Sequence, residues 1–409
     1  VNVFLRIKKL EPEETALLAI TALLLFLAFF SNLFLTAQDQ QFTLLAVSFL
    51  HGHTYFLTQT GHAWQDTTLF MGQHYWPLGP LPAIILIPFV ALAYPLSTTT
   101  WQGIVQIALI YATFVTIRKI SLKLGSSAIE SRYWALAFTG ASMYMSVAAL
   151  PISGNFAHVT AVFFFWLALH EFLGRKRWWM ISICCAALLS TRIPSGLVIV
   201  FFLLEIIRSD DAKNAKLKNV IQLLLPFLAS ALLLALYNYV RFKSVFDQGY
   251  AGQIVYFPFL EAARSHGLES IVHLPANLYY MFLATPTPLY KDTVSHVLRF
   301  PFVSPGQWGL SIFFTSPYLV YLTVLRFRDR MALHGLFAVL LTATPILFFF
   351  SSGFNEYGYR YALDFFPLLF FVFMRAFLQQ KGALPLLFKV LVISSCCINL
   401  YLFIVWLYV

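Results

Sequence analysis

Residues 15–36, TALLAITALLLFLAFFSNLFLT, carry no charge and are long enough to cross the ~30 Å hydrocarbon core of a bilayer as one helix. Comparable apolar runs follow at 219–240, 332–350 and 386–408. The 409-residue chain around them is 60% hydrophobic and 11% charged, whereas a soluble domain is about 25% charged. So few charges cannot coat a water-facing surface. The sequence therefore reads as an all-α polytopic membrane protein. Arg6, Lys8 and Lys9 precede the first run and no small-residue cleavage site follows it, so it is expected to stay as an uncleaved first membrane helix.

The formal charge of +10 does not point to nucleic acid, because the cations fall in short clusters between apolar segments. Clusters at 6–9, 118–132, 175–177, 208–218, 326–330 and 375–389 mark the cytoplasmic side. Parity between the first two clusters requires one of the three runs near 15–36, 81–97 and 101–117 not to cross. The Pro-rich segment 77–97, with Pro77, Pro80, Pro82, Pro88 and Pro95, is the one expected to re-enter. Further crossings are expected at 132–150, 155–174, 178–191, 194–207, 219–240, 308–325, 332–351, 362–378 and 386–408, about 11 transmembrane helices in all. Thr191-Arg192-Ile193-Pro194 is read as the turn that divides 178–207.

Two long outer loops remain, 37–76 and 241–307. They divide the chain into an N-terminal module (1–240), a long outer loop (241–307) and C-terminal membrane helices (308–409). Loops of that length within a bundle usually carry function. Residues 41–51 read as a short interfacial helix, with Gly52 at its end.

Between Lys9 and Arg118 the only acids beyond the first helix are Asp39 and Asp66, both in the first outer loop. Either suits a general base beside the bilayer. A second polar cluster runs from Gly353 to Asp364 and contains Glu356, Tyr359, Arg360 and Tyr361. A guanidinium at a helix start, as at Arg360, matches the geometry of a phosphate. Arg192 is another outer cation, and His158 begins a membrane helix. His51, His53, His62 and His74 lack metal-ligand spacing. The pairs Cys184–Cys185 and Cys396–Cys397 read as packing residues. There is no Gly-rich phosphate cradle for a nucleotide.

Three sets of residues carry a resemblance: Asp39-Gln40-Gln41-Phe42 with His51-Gly52; Asp66 followed by Gly72, Tyr75-Trp76-Pro77 and Gly79-Pro80; and, further on, Tyr237-Asn238-Tyr239 with Arg241 and Lys243, Thr315-Ser316-Pro317, and Gly358-Tyr359-Arg360-Tyr361 with Asp364. In this order and spacing they resemble the GT-C superfamily of membrane glycosyltransferases, among them the bacterial and archaeal relatives of protein mannosyltransferases. That family usually shows two adjacent acids in the first loop, where this chain keeps one.

The resemblance implies transfer of a sugar, with inversion and without a metal or cofactor, from a polyprenyl-phosphate donor to a glycan, lipid or protein acceptor. The implied setting is the outer face of the cytoplasmic membrane, among membrane lipids. Asp39 or Asp66 would act as base. Arg360, Arg192 and Lys243 would hold the donor phosphate, and His158, Tyr75, Tyr359 and Tyr361 would contact substrate. The rivals are a transporter or flippase, which would favour mid-membrane charges and repeated halves, and a non-catalytic membrane subunit.

Overall fold

The computed structural model describes residues 12–34, 40–60, 63–93, 101–292, 294–354 and 356–408. Asp39, His62, the 6–9 cluster and the end of the 77–97 segment lie outside the described residues.

Helices dominate. In chain order they are α1 Pro12–Phe34, α2 Gln41–Leu50, α3 Leu81–Ala93, α4 Trp101–Lys123, α5 Ala128–Thr139, α6 Tyr144–Ala148, α7 Ser153–Phe172, α8 Trp178–Thr191, α9 Ile193–Gly196, α10 Ile199–Ile207 and α11 Lys213–Phe242. These are followed by α12 Pro258–Arg264, α13 Leu274–Phe282, α14 Ile312–Thr315, α15 Arg330–Phe348, α16 Phe366–Lys381 and α17 Leu386–Tyr408. Among the described residues five helices are long and apolar enough to cross a membrane: α1, α4, α11, α15 and α17. Of the other expected crossings, 155–174 is the uninterrupted 20-residue α7, which is not among those five, and the rest are shorter or broken.

Two expectations need correction. The chain is mostly helical but not all-α. Three two-stranded sheets form from β1 Thr68–Phe70 with β2 Gln73–Tyr75, β3 Thr287–Tyr290 with β4 Leu298–Ser304, and β5 Trp308–Leu310 with β6 Glu356–Gly358. All six strands lie between the long apolar helices, where extended segments satisfy their backbone groups by pairing with one another. The second correction concerns 308–325. It is not one helix but β5, the single turn α14 and a 3₁₀ turn over Pro317–Thr323. Gly309 adopts φ +80°, and Pro317 forces a break at Ser316 (φ −136°, ψ 64°).

α3 has thirteen residues with Pro88 inside it, a rise of about 20 Å. That is well short of a bilayer core. α2, expected at the interface, buries Gln41, Phe42, Thr43, Leu45, Ala46 and Ser48. It packs against α3 and α4, and Gly52 follows it at φ +77°.

The core is aromatic. Trp134 on α5 meets Phe370, Phe373 and Phe377 of α16 edge-on, with Phe388 of α17 beside it. Close to the site, the helical path is broken between α6 and α7. The carbonyls freed there are met by amides that α1 and α4 carry in otherwise apolar surroundings. Gln106 Nε2 donates to Val147, Ala148 and Leu150 at 3.1–3.2 Å. Gln102 Nε2 donates to Pro151 at 2.7 Å, and Asn32 Nδ2 to Ala148 at 2.8 Å. The Gln102 carbonyl in turn accepts from the Phe42 N–H at 2.8 Å and the Ser153 hydroxyl at 3.1 Å. Irregular backbone within a bundle needs such partners. Here they fix the starts of α2 and α7 beside one another.

Candidate functional site

A cavity of about 1310 Å³ opens where α2, α7, the α8–α9 turn, the end of α11 and the two long loops meet. Of the residues singled out in the sequence, Asp66, His158, Arg192, Arg360 and Tyr361 line it. Three others stand elsewhere. Lys243 is exposed in the left-handed cap position after α11, φ 56°, with its ammonium over Tyr239. Tyr75 is buried against Phe242 and Tyr55. Tyr359 is fully buried, and its hydroxyl donates to Asn277 Oδ1 at 3.0 Å.

The wall formed by α7, the α8–α9 turn and the segment before α16 is cationic. α8 ends at Thr191, Arg192 is extended, and Ile193 with Pro194 starts α9. That turn aims Arg192 at Asp364, which it grips as a fork: Nε to Oδ1 at 2.6 Å and Nη2 to Oδ2 at 2.8 Å. The Ser195 hydroxyl donates to the same Oδ1 at 2.5 Å. Arg360 pairs with Glu356 at 2.9 Å. Both guanidinium carbons lie 5.4 Å from the centre of the Tyr361 ring, and His158 stacks obliquely on that ring at 5.9 Å. Gly154 lies alongside: a Cβ there would meet the Arg360 guanidinium carbon at 3.9 Å, an ordinary van der Waals contact.

Gly353 is what admits Glu356. Its φ is +98°, and a Cβ would fall 1.8 Å from Glu356 Oε1. Burial pushes the Glu356 carboxyl up to about 8, against the opposing pull of Arg360. Below that pH the carboxyl keeps its proton and the Arg360 charge is left for a bound anion. Above it the carboxylate neutralises Arg360. Affinity for an anionic ligand is therefore expected to fall as pH rises through about 8, and Glu356→Gln should flatten the profile, as read by binding titrations from pH 6 to 9. The same shift makes the folded state the tighter proton binder, so stability also declines as pH rises from the ordinary carboxylate range to about 8.

The opposite charge comes from the first loop. Asp66 is half-buried with φ +63°, in the left-handed region where Asp and Asn are the favoured non-glycine residues. The second loop holds it there. The Asp66 N–H donates to the Ile254 carbonyl at 2.9 Å, and Gln253 Nε2 reaches its carbonyl and Oδ1 at 3.3 and 3.4 Å. Thr68 Oγ1 donates to Gly249 at 2.7 Å, and Tyr256 donates to the Ala63 carbonyl. The two long loops thus form one structure over the cavity. At its foot, a Cβ on Gly79 would come 2.1 Å from the Ser190 carbonyl, which lets the chain leading into α3 press against the end of α8.

No family model and no curated protein sequence matches the chain. Among solved structures, the crystal structure of the Archaeoglobus fulgidus oligosaccharyltransferase in the apo form is similar with a TM-score of 0.46 and 11% identity, over 95% of this chain and 55% of that one. The archaeal oligosaccharyltransferase AglB from Archaeoglobus fulgidus, in complex with an inhibitory peptide and a dolichol-phosphate, gives 0.42 and 12%, over 96% and 55%. The chain spans about half the length of either. Neither assigns a role to any residue here.

Sequence reasoning passed over Arg241 as a site residue. It lines the cavity and is 2% exposed. The available signal was its place three residues after Asn238 at the end of a long apolar helix. Asp364 and Glu356 were seen as part of a polar cluster but not as the partners of the two site arginines.

Proposed function

We propose that the chain is a membrane glycosyltransferase that moves a sugar from a polyprenyl-phosphate donor to an acceptor hydroxyl at the outer face of the cytoplasmic membrane. The observation that carries this reading is one large cavity lined by a loop carboxylate, Asp66, and by the guanidinium groups of Arg192, Arg241 and Arg360. Ile193, Leu197, Leu234 and Ile346 extend the lining into the helices, where a prenyl chain could lie.

In this reading Asp66 takes the proton of the acceptor hydroxyl as its oxygen bonds to the anomeric carbon. The bond from that carbon to the phosphate oxygen breaks in the same displacement, and the phosphate leaves with its charge facing the arginines. Base help of this kind contributes roughly 10²–10⁴-fold. Preorganised cations act where charge grows, on the departing phosphate. Asp39, from the same loop, is the alternative base.

The reading is tested with purified protein in lipid nanodiscs and a panel of polyprenyl-phosphate sugars, following release of polyprenyl phosphate and labelling of acceptor. Arg360→Ala is expected to raise the donor KM about tenfold or more, the scale of a lost charged hydrogen bond. An unchanged donor KM and kcat would clear Arg360 of the role. Movement of intact donor across the bilayer without bond cleavage would favour a flippase.

A further inference from the structure

We infer that Arg241 is the anion anchor of the cavity, and that the group it binds is the phosphate of the lipid carrier, whose chain descends over Leu234 between α11 and α15. This rests on the glycosyltransferase reading for the identity of the carrier, and on the following geometry for the site.

The cavity arginines are not equivalent. Arg192 is gripped by Asp364, and Arg360 has the Glu356 carboxyl at 2.9 Å, which neutralises it above a pH of about 8. Arg241 has no carboxylate within salt-bridge distance among the described residues, Asp247 acting on it only from farther off. One N–H donates to the Trp76 carbonyl and one to Asn238 Oδ1 at 2.7 Å, while Nε has no hydrogen-bond partner. A guanidinium offers five N–H donors. The rest of its surroundings are rings, with Tyr237 at 4.0 Å and Phe242 at 4.7 Å from the guanidinium carbon. A buried cation in such a setting is costly unless an anion completes it. The carbonyl end of α11 offsets that cost only in part.

The helix also says from which direction the ligand comes. Leu234, Asn238 and Arg241 stand at i, i+4 and i+7 and all line the cavity, so one face of α11 grades from apolar to cationic towards its end. Opposite it, Ile346 comes from α15, with Ile193 and Leu197 from the α8–α10 stretch between. An amphiphile with one charged head and a long apolar chain fits this gradient. A free sugar or a soluble anion would leave the apolar part unused.

The test is equilibrium binding of three probes to the purified chain, with no sugar or acceptor present: a long-chain polyprenyl phosphate, the corresponding uncharged polyprenol, and a water-soluble two-isoprene phosphate. Asn238→Asp supplies the carboxylate that Arg241 lacks while leaving the arginine in place. It is expected to weaken both phosphates about tenfold or more and to leave the polyprenol unchanged. Arg241→Gln should do the same. Leu197→Trp, which fills the apolar end, should weaken the long-chain phosphate and spare the short one.

Unchanged phosphate binding in a folded Asn238→Asp protein would overturn the assignment, as would equal losses for phosphate and polyprenol. If the short phosphate binds as tightly as the long one in wild type, the chain path is wrong. Because no transfer is measured, Arg241-dependent binding without any turnover would count against the enzyme reading and not against this site.

Discussion

Asp66→Asn is expected to lower glycosyl transfer by roughly 10²–10⁴-fold, the range attributed to a positioned general base, with little loss of folded protein. The substitution is unusually clean at this position. Asp66 sits at φ +63°, which asparagine tolerates as well as aspartate does. The backbone contact to Ile254 and the Gln253 contacts to its carbonyl do not depend on charge. The Gln253 contact to Oδ1 can still be made to an amide oxygen, while the ability to accept a proton is lost. Donor binding should persist, so the loss belongs in kcat with donor KM near wild type. Asp39→Asn, made in parallel, tells which of the two first-loop acids carries the role.

The second large effect is on stability. Asp364 is fully buried and serves Arg192 twice and Ser195 once. Asp364→Ala leaves Arg192, whose side chain is 11% exposed, as an uncompensated charge, at a cost of up to about 3–5 kcal/mol. Replacing both partners, Arg192→Met with Asp364→Leu, removes the charge along with its counter-ion and should recover most of that loss. Thermal melts in detergent read the comparison. If the double variant melts as low as Asp364→Ala, the pair does not act as a unit. Activity is expected to stay low in the double variant, since the cavity there loses the Arg192 guanidinium.

What could be read beforehand followed the physics of each segment. The first helix is legible because twenty-odd uncharged apolar residues have few alternatives to crossing a bilayer. The break at Arg192 is legible because Pro194 cannot donate the hydrogen bond that would continue α8 and suits the first turn of a new helix, and the chain does turn there. The 308–325 stretch was misread because apolar composition marks burial, not helicity, and β5 with its short turns is buried too.

At the site, Arg192, Arg360, His158 and Asp66 stood out as polar residues in apolar surroundings. Their partners did not. Asp66 is held by residues about 190 positions away, and Arg192 by one 172 away. No local pattern announces such pairings. Arg241 and Lys243, two residues apart in one motif, differ in register. Arg241 shares a helix face with Leu234 and Asn238, whereas Lys243 lies just past the helix in a left-handed cap. Gln102 and Gln106 could have been flagged as amides in an apolar helix, although the broken backbone they serve is forty or more residues away.

The most direct test of the central claim is turnover of purified wild-type, Asp39→Asn and Asp66→Asn proteins with polyprenyl-phosphate sugars, reading acceptor labelling and carrier release together. The account predicts coupled labelling and release in wild type, abolished by Asp66→Asn while polyprenyl phosphate still binds. Wild-type turnover in both variants, or carrier binding with no transfer from any donor, would contradict it.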